Sequence, residues 1–385
     1  LNGWRTPAGC GHMPAEVCAM NEDGRFEILV YPENGDGVNA QTNKLAQRDI
    51  DGIDLVIREV PHVESAIELL IDGHADMAAV SAKWWYENRQ DNLTASIVLP
   101  RREPTKVLVC EDKVEYLPKN GIVLADCELS KRQMLRARPD VKTMLASELE
   151  DLPDKIIDRL SWMEDKRNSG EIDGYIISRS LYSLLPSRTR RHTLGLQRDN
   201  VERFRFIPTP LEGYTVFVTR MDFPAHNLLE IIDAGAAISL RIEMMILDHI
   251  DNDKHEKIGM YVEQRKVGTV LREADKKGDG HSRDSIVSMK GDVKGDYRID
   301  MVLETLDKSG KVTASIEKVF PPEEIHTSSL VLVKNWNTLI QILSEIPEEE
   351  KRSRIKEMMD KYTEEMVSEG RISADKIGLP KFNDY

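Results

Sequence analysis

The feature that most constrains this chain is a repeated alternation of short apolar runs with helix-patterned segments. Phe26–Tyr31 (FEILVY), Ile53–Val60 (IDLVIREV) and Met77–Ser81 read as strands. Between them, Asn43–Arg48 opens a polar helical stretch, and Val63–Ile71 carries the apolar spacing of a helix. A β-α-β-α-β order predicts a mostly parallel sheet covered by helices. The rhythm then restarts. Thr105–Cys110, Gly121–Leu124, Val141–Ala146 and Tyr175–Ser178 are strand candidates, with helices at Lys131–Ala137 and Ile156–Met163. Tyr214–Val218 (YTVFV) supplies one more strand after the linker-like Pro208-Thr209-Pro210. Two similar α/β units side by side predict a cleft between them, where such folds take ligands.

Beyond Ala234 the character changes. A long helix at Ile238–Ile250 precedes Ile258–Glu263, a Lys/Asp/Gly-rich stretch at Glu273–Gly295, and strands at Arg298–Leu303 and Thr313–Val319. Asp307-Lys308-Ser309-Gly310 reads as the turn of a hairpin. The expected organisation is an N-terminal arm (1–25), an α/β domain from 26–100 and 200–222, and a second α/β domain over 101–199. A smaller α+β domain follows over 235–345, then a helical tail over 346–385 whose segment Glu348–Glu369 is charged and amphipathic.

With 385 residues and 40% hydrophobic content the chain is long enough for two or three cores. A formal net charge of −14 argues against general binding to nucleic acid or membrane surfaces, whose phosphates it would repel. No apolar run reaches membrane-spanning length, and no secretory leader is recognisable at the N-terminus. Four cysteines are too few for a disulfide framework at this size, so a reducing cytoplasm is expected.

Several clusters invite chemistry. Cys10, His12 and Cys18 combine zinc-type donors, but their spacing fits no standard site and reads as an irregular arm. Arg188, Arg190, Arg191 and His192 form a basic knot with Arg198 behind it, read as a solvated loop in preference to an anion site. Asp251, Asp253, His255 and Glu256 surround Lys254 and read as an exposed helix end in preference to a cation site. Trp84 and Trp85 end a strand and are expected at the cleft, either to stack a planar ligand or to close it off. No metal is expected. Asp126-Cys127-Glu128 makes no nucleophilic triad, because neighbouring acids raise a thiol pKa.

A set of segments recurs in a fixed order: Leu69–Lys83 (LLIDGHADMAAVSAK), Leu99–Pro104 (LPRREP), Gln133–Val141 (QMLRARPDV), Gly170–Ile177 (GEIDGYII) and Ile207–Gly213 (IPTPLEG). Glu243 and Ile258–Tyr261 (IGMY) continue the series. In order and spacing these resemble the hydroxymethylbilane synthase (porphobilinogen deaminase) family, over roughly residues 26–320. The resemblance implies two periplasmic-binding-protein type II-like α/β domains flanking a cleft, plus the α+β domain. It also implies a transferase of tetrapyrrole and heme biosynthesis that links four porphobilinogen units and releases ammonia. That reaction needs a dipyrromethane cofactor anchored on a cysteine, an aspartate at the pyrrole nitrogen, arginines for substrate carboxylates, and a lid.

At each of these points the chain departs from the family. Ser81 and Lys83 match the family's SxKDVP, but Trp84 stands where the catalytic aspartate belongs. The paired arginines become Leu129 and Ser130, with Lys131 and Arg132 as replacements only after a register shift. Ser147 takes the place of a further arginine, Arg159 matches another, and Glu33 falls on the arginine of the first loop. Val60 and Pro61 run almost directly into a helix, leaving no room for the lid. Lys254 occupies the cofactor cysteine's position, so no dipyrromethane is expected. The substrate-binding candidates are therefore Ser81, Lys83, Lys131, Arg132 and Arg159, with no confident catalytic residue. The sequence reading is a pseudoenzyme of this family. Its alternatives are a binding protein for a small organic anion or linear tetrapyrrole in the cleft, or a protein that docks a partner through 348–369.

Overall fold

The computed structural model describes residues 24–185, 189–196, 204–278, 280, 283, 286–287, 295–344, 356–357 and 359–361. The first sheet is built from β1 (Arg25–Val30), β2 (Asp54–Glu59), β3 (Met77–Ser81) and β4 (Leu93–Val98), with helices α1 (Val38–Ala46), α2 (Val63–Ile71) and α3 (Ala82–Glu87) between them. A second run supplies β5 (Lys106–Val109), β6 (Ile122–Ala125), α4 (Glu128–Ala137), β7 (Lys142–Leu145), α5 (Ala146–Leu149), α6 (Ile156–Asn168), β8 (Gly174–Ser178), α7 (Arg179–Tyr182) and β9 (Arg191–Leu194). Strand β10 (Thr215–Arg220) then returns to the first sheet.

The two five-stranded sheets repeat one plan, in the orders β2-β1-β3-β10-β4 and β7-β6-β8-β5-β9. In each, three parallel strands from β-α-β units are joined by an antiparallel strand that enters from the other half of the chain. The chain therefore crosses between the sheets twice, through 99–105 and through the segment leading to Gly213. Alternation along the strands explains why each sheet buries two faces. Val107, Val109 and Tyr175 pack under α6, while Leu108, Val123, Ile176 and Phe206 pack on the other side with Met134. The first core gathers Ile28, Met77, Ile97, Leu99 and Phe217, all essentially inaccessible. Each such side chain contributes roughly 1.5–3 kcal/mol on leaving water.

Helix α8 (Ala234–Leu247) follows, capped by the Asp233 carboxylate, which accepts from the Ala236 amide at 2.7 Å. It packs on β11 (Ile258–Lys266). After α9 (Val267–Lys277), β12 (Tyr297–Leu306) and β13 (Thr313–Phe320) complete a three-stranded antiparallel sheet. The hairpin turn at Gly310 (φ +71°) lies against α4: an added Cβ there would sit 2.7 Å from the Arg132 carbonyl oxygen and the Arg136 amide nitrogen. Beneath that turn, the fully buried Glu304 holds Arg136 of α4 at 3.0 Å and Arg205 of the crossing segment at 3.1 Å. A helix over Ile325–Ser344 closes this part of the chain. A second unit begins at Leu330, and its described residues are helical.

The fold class is α/β, with two similar mixed five-stranded sheets and a smaller three-stranded antiparallel sheet. Four local expectations differ. Helix α1 begins at Val38 and ends at Ala46, because Val38, Thr42 and Leu45 form its buried face and Asp36 caps the Val38 amide at 2.9 Å. β4 was not anticipated, since Thr94, Ala95 and Ser96 dilute its apolar pattern. Its Ser96 hydroxyl instead bonds the Thr219 hydroxyl of β10 at 2.5 Å. The basic knot is not a loop throughout: Arg191–Leu194 form β9, paired along β5, and Arg191 lies over the Tyr182 ring at 4.5 Å. The helix at Ile325–Ser344 falls where the sequence pattern marks no element. Cys10, His12, Cys18, Arg188, Arg198 and nearly all of Glu348–Glu369 lie outside the described residues.

Candidate functional site

Turns that leave the C-terminal ends of the parallel strands in both sheets meet at the two crossings, the end of such sheets where ligands usually bind. From the first domain come Tyr31–Gly37 after β1 and Ser81 after β3; from the second come Asp126–Cys127 after β6 and Ser178 after β8.

The loop after β1 reaches across. Gly35 has φ +66°, and a Cβ there would lie 2.7 Å from Leu181 and 3.1 Å from Ile156, both in the second domain. Arg102, in the first crossing, fastens this approach. Its guanidinium donates to the Asp36 carbonyl, to Gln41 Oε1 at 3.0 Å and to Ser180 Oγ at 3.3 Å, joining loop, α1 and α7. Burial lowers the Arg102 pKa, opposed by the Asp36 and Glu212 carboxylates. Burial also raises the Asp36 carboxyl, against the pull of the Val38 amide and Arg102.

A second cation sits deeper. Lys106, the first residue of β5, places its ammonium 2.5 Å from Asp126 and 3.8 Å from Glu212. Burial works against its charge, but the two carboxylates outweigh it and push the pKa upward. Glu212 is itself positioned by the Thr209 hydroxyl at 3.1 Å. Cys127 lies beside this pair, its sulfur 3.2 Å from Ser130 Oγ, and burial followed by the Asp126 charge raises its thiol pKa. A thiol held protonated is a poor nucleophile. Lys106 is thus already paired with carboxylates of the chain itself, and Arg102 is held by a carbonyl, an amide oxygen and a hydroxyl.

Below the crossings, Arg101 and Glu243 form a buried pair at 2.8 Å. The Arg101 guanidinium also donates to the Glu212 and Val262 carbonyls and stacks between the rings of Tyr214 (4.1 Å) and Tyr261 (4.8 Å). Glu243 accepts from the Leu211 and Val262 amides at 2.7 and 3.2 Å. Burial raises its pKa against these partners. This node ties both crossings to α8 and β11, which gives the glutamate a structural role.

The residues nominated from sequence do not converge. Ser81 caps α3, accepting from the Trp84 amide at 3.3 Å, and Lys83 points to solvent. Trp84 is half-buried in the first turn of that helix, while Trp85 joins the core. Leu129 and Ser130, at the expected arginine-pair positions, are buried at 1% and 3% exposure and present nothing to the cleft. Lys131 is held by Glu148 at 2.8 Å. Arg132 is buried, bonded to Glu128 (2.8 Å) and to the Leu306 carbonyl (2.7 Å) of the third sheet. Arg159 folds back on the Pro153 carbonyl at 3.1 Å. Lys254 is half-exposed in a 3-10 turn, Asn252–Lys257, and pairs with Asp251 at 2.5 Å. β2 ends at Glu59 and α2 starts at Val63, so the stretch between them is short. Among the described residues no group of three or more His, Cys, Asp or Glu side chains is arranged to hold a metal. Sequence reasoning missed Arg102, Lys106 and Glu212. The signal available was Arg101-Arg102 and Lys106 flanking the start of β5, a cluster of cations in a linker of an acidic chain.

No family model matches this chain. It is similar to proteins named probable porphobilinogen deaminase from three archaea. The identities are 22% with that of Picrophilus torridus, 24% with that of Methanococcoides burtonii and 27% with that of Ignicoccus hospitalis. These matches take in 53%, 57% and 54% of this chain and 67%, 65% and 62% of the relatives' own lengths. Among solved structures, it is similar to the periplasmic aliphatic sulphonate binding protein SsuA from Escherichia coli. That likeness has 14% identity, takes in 66% of this chain and 75% of the other, and has a TM-score of 0.31. YhfZ from Shigella flexneri gives 19% identity over 58% and 95% of the two chains, with a TM-score of 0.27. Among the described residues no helix is long and apolar enough to cross a membrane.

Proposed function

We propose that this chain is a divergent porphobilinogen deaminase-like protein, related by descent to tetrapyrrole biosynthesis, that does not carry out the deaminase reaction. One observation carries the reading. The two positions at which the resemblance calls for a catalytic aspartate and a cofactor cysteine hold Trp84, wedged in the first turn of α3, and Lys254, paired with Asp251.

The cleft electrostatics support the same conclusion. Growing polypyrrole chains carry many carboxylates, and binding them takes cations whose partners are water or ligand. Arg102 and Lys106 instead hold the Asp36 carbonyl, Ser180, Asp126 and Glu212, and a ligand could engage either only by breaking those contacts. The Arg102 contacts and the close approach of Gly35 to Leu181 make this cleft a joint between domains. We place the protein in the cytoplasm, in keeping with its unpaired Cys110 and Cys127.

The test is the intact mass of the purified protein, measured before and after incubation with porphobilinogen. The expected mass is that of the polypeptide alone in both samples. A covalent pyrrole adduct in either would overturn the proposal.

A further inference from the structure

A cavity of about 750 Å³ opens at the first crossing, between α1, α7 and the segment before α8. It shares Arg102 and Ser180 with the joint described above, but none of Ser81, Lys83, Trp84, Lys131, Arg132, Arg159 or Lys254 lines it. Its size falls within the usual range for small-molecule sites. The floor is apolar, made by Leu45, Leu99 and Ile231, all buried. Besides Arg101 and Arg102, which are engaged at the crossings, three cations stand on its walls. Lys44 and Arg48 lie one turn apart along α1 and just beyond it, and Arg179 opens α7 opposite. Unlike Lys106, these three form no side-chain ion pair among the described residues. Five carboxylates also line the cavity: Asp49, Asp51, Glu103 and Glu230, which are exposed, and Asp233, which caps α8.

We propose that this cavity binds a small organic anion with a single carboxylate, sulfonate or phosphate head and an apolar body. Unpaired guanidinium and ammonium groups supply charge-assisted donors for one anionic head. The Leu45, Leu99 and Ile231 surface gives the remainder of the molecule somewhere to leave water. The lining carboxylates repel additional negative charges, which disfavours polyanions. The inference stands apart from the deaminase question, since it uses neither Trp84 nor Lys254.

The experiment is calorimetric titration of the full chain with 2-naphthoate, with inorganic phosphate as a head without a body. The wild type should bind naphthoate saturably at one site, and phosphate at least about tenfold more weakly. Lys44→Glu and Arg179→Glu should each weaken naphthoate about tenfold or more, the loss expected for one charge-assisted bond. Lys83→Ala should leave it unchanged. Lys44 is exposed, so its reversal leaves the fold intact, which circular dichroism and thermal melting check directly. Absence of saturable naphthoate binding overturns the proposal, as does binding that survives both reversals or disappears with Lys83→Ala. Phosphate binding as tightly as naphthoate would show that the apolar floor plays no part, and overturns it too.

Discussion

Glu243 serves the fold through its ion pair and backbone contacts. It carries a charge, is fully buried, and is held by Arg101 and two backbone amides. Removing one partner of such a pair leaves the other charge without compensation in a poorly polarisable interior. Glu243→Gln and Arg101→Met should each cost about 3–5 kcal/mol in denaturant unfolding, whereas replacing both with matched apolar side chains should cost much less. Glu164 makes a pH-dependent contribution. Burial raises its carboxyl pKa, but bonds from Arg167, Thr189 and Tyr175 outweigh this and bring it down to about 2, against 4.5 for the free side chain. The folded pKa lies below the unfolded one, so the stabilisation is complete above about pH 5 and is lost as pH falls toward 2. Wild type and Glu164→Gln, compared by urea unfolding across pH 6 to 3, should differ most at pH 6 and converge on acidification.

At the scale of elements, legibility followed pattern strength. α2 and β3 read directly from sequence because their apolar residues are dense and regularly spaced, and both fall where expected. β4 and β9 did not, because LTASIV and RHTL become strands only by pairing with β10 and β5, partners distant in sequence. The candidate site was legible mainly as a set of absences. That Trp84 and Lys254 would stand in place of reactive groups is what the resemblance to the family implies. That Lys106 meets Asp126 and Glu212 cannot be read from sequence, since the three residues come from a strand start, a strand end and a crossing. Turn geometry in the crossings is a separate constraint. Gly213 has φ +84°, and a Cβ there would press within 2.7 Å of the Arg102 carbonyl oxygen. Gly213→Ala should therefore destabilise by about 2–3 kcal/mol, seen as a lowered thermal midpoint, by straining the segment that leads into β10.

Across the whole molecule, ionic groups serve the joints between its parts. Glu304 holds Arg136 and Arg205, Glu243 holds Arg101, and Arg102 holds loop, α1 and α7 together. Groups that act as a unit in catalysis are lost together in effect, so restoring one alone should recover nothing. The most direct measurement is porphobilinogen consumption by the wild type and by Trp84→Asp, Lys254→Cys and their double variant. No turnover is expected from the wild type or either single variant. Activity in the double variant alone would fit, since it would supply the carboxylate for the cationic intermediate and the thiol for a primer. Turnover of porphobilinogen by the wild type at ordinary enzymatic rates, on the order of 1 s⁻¹ or more, would contradict that expectation.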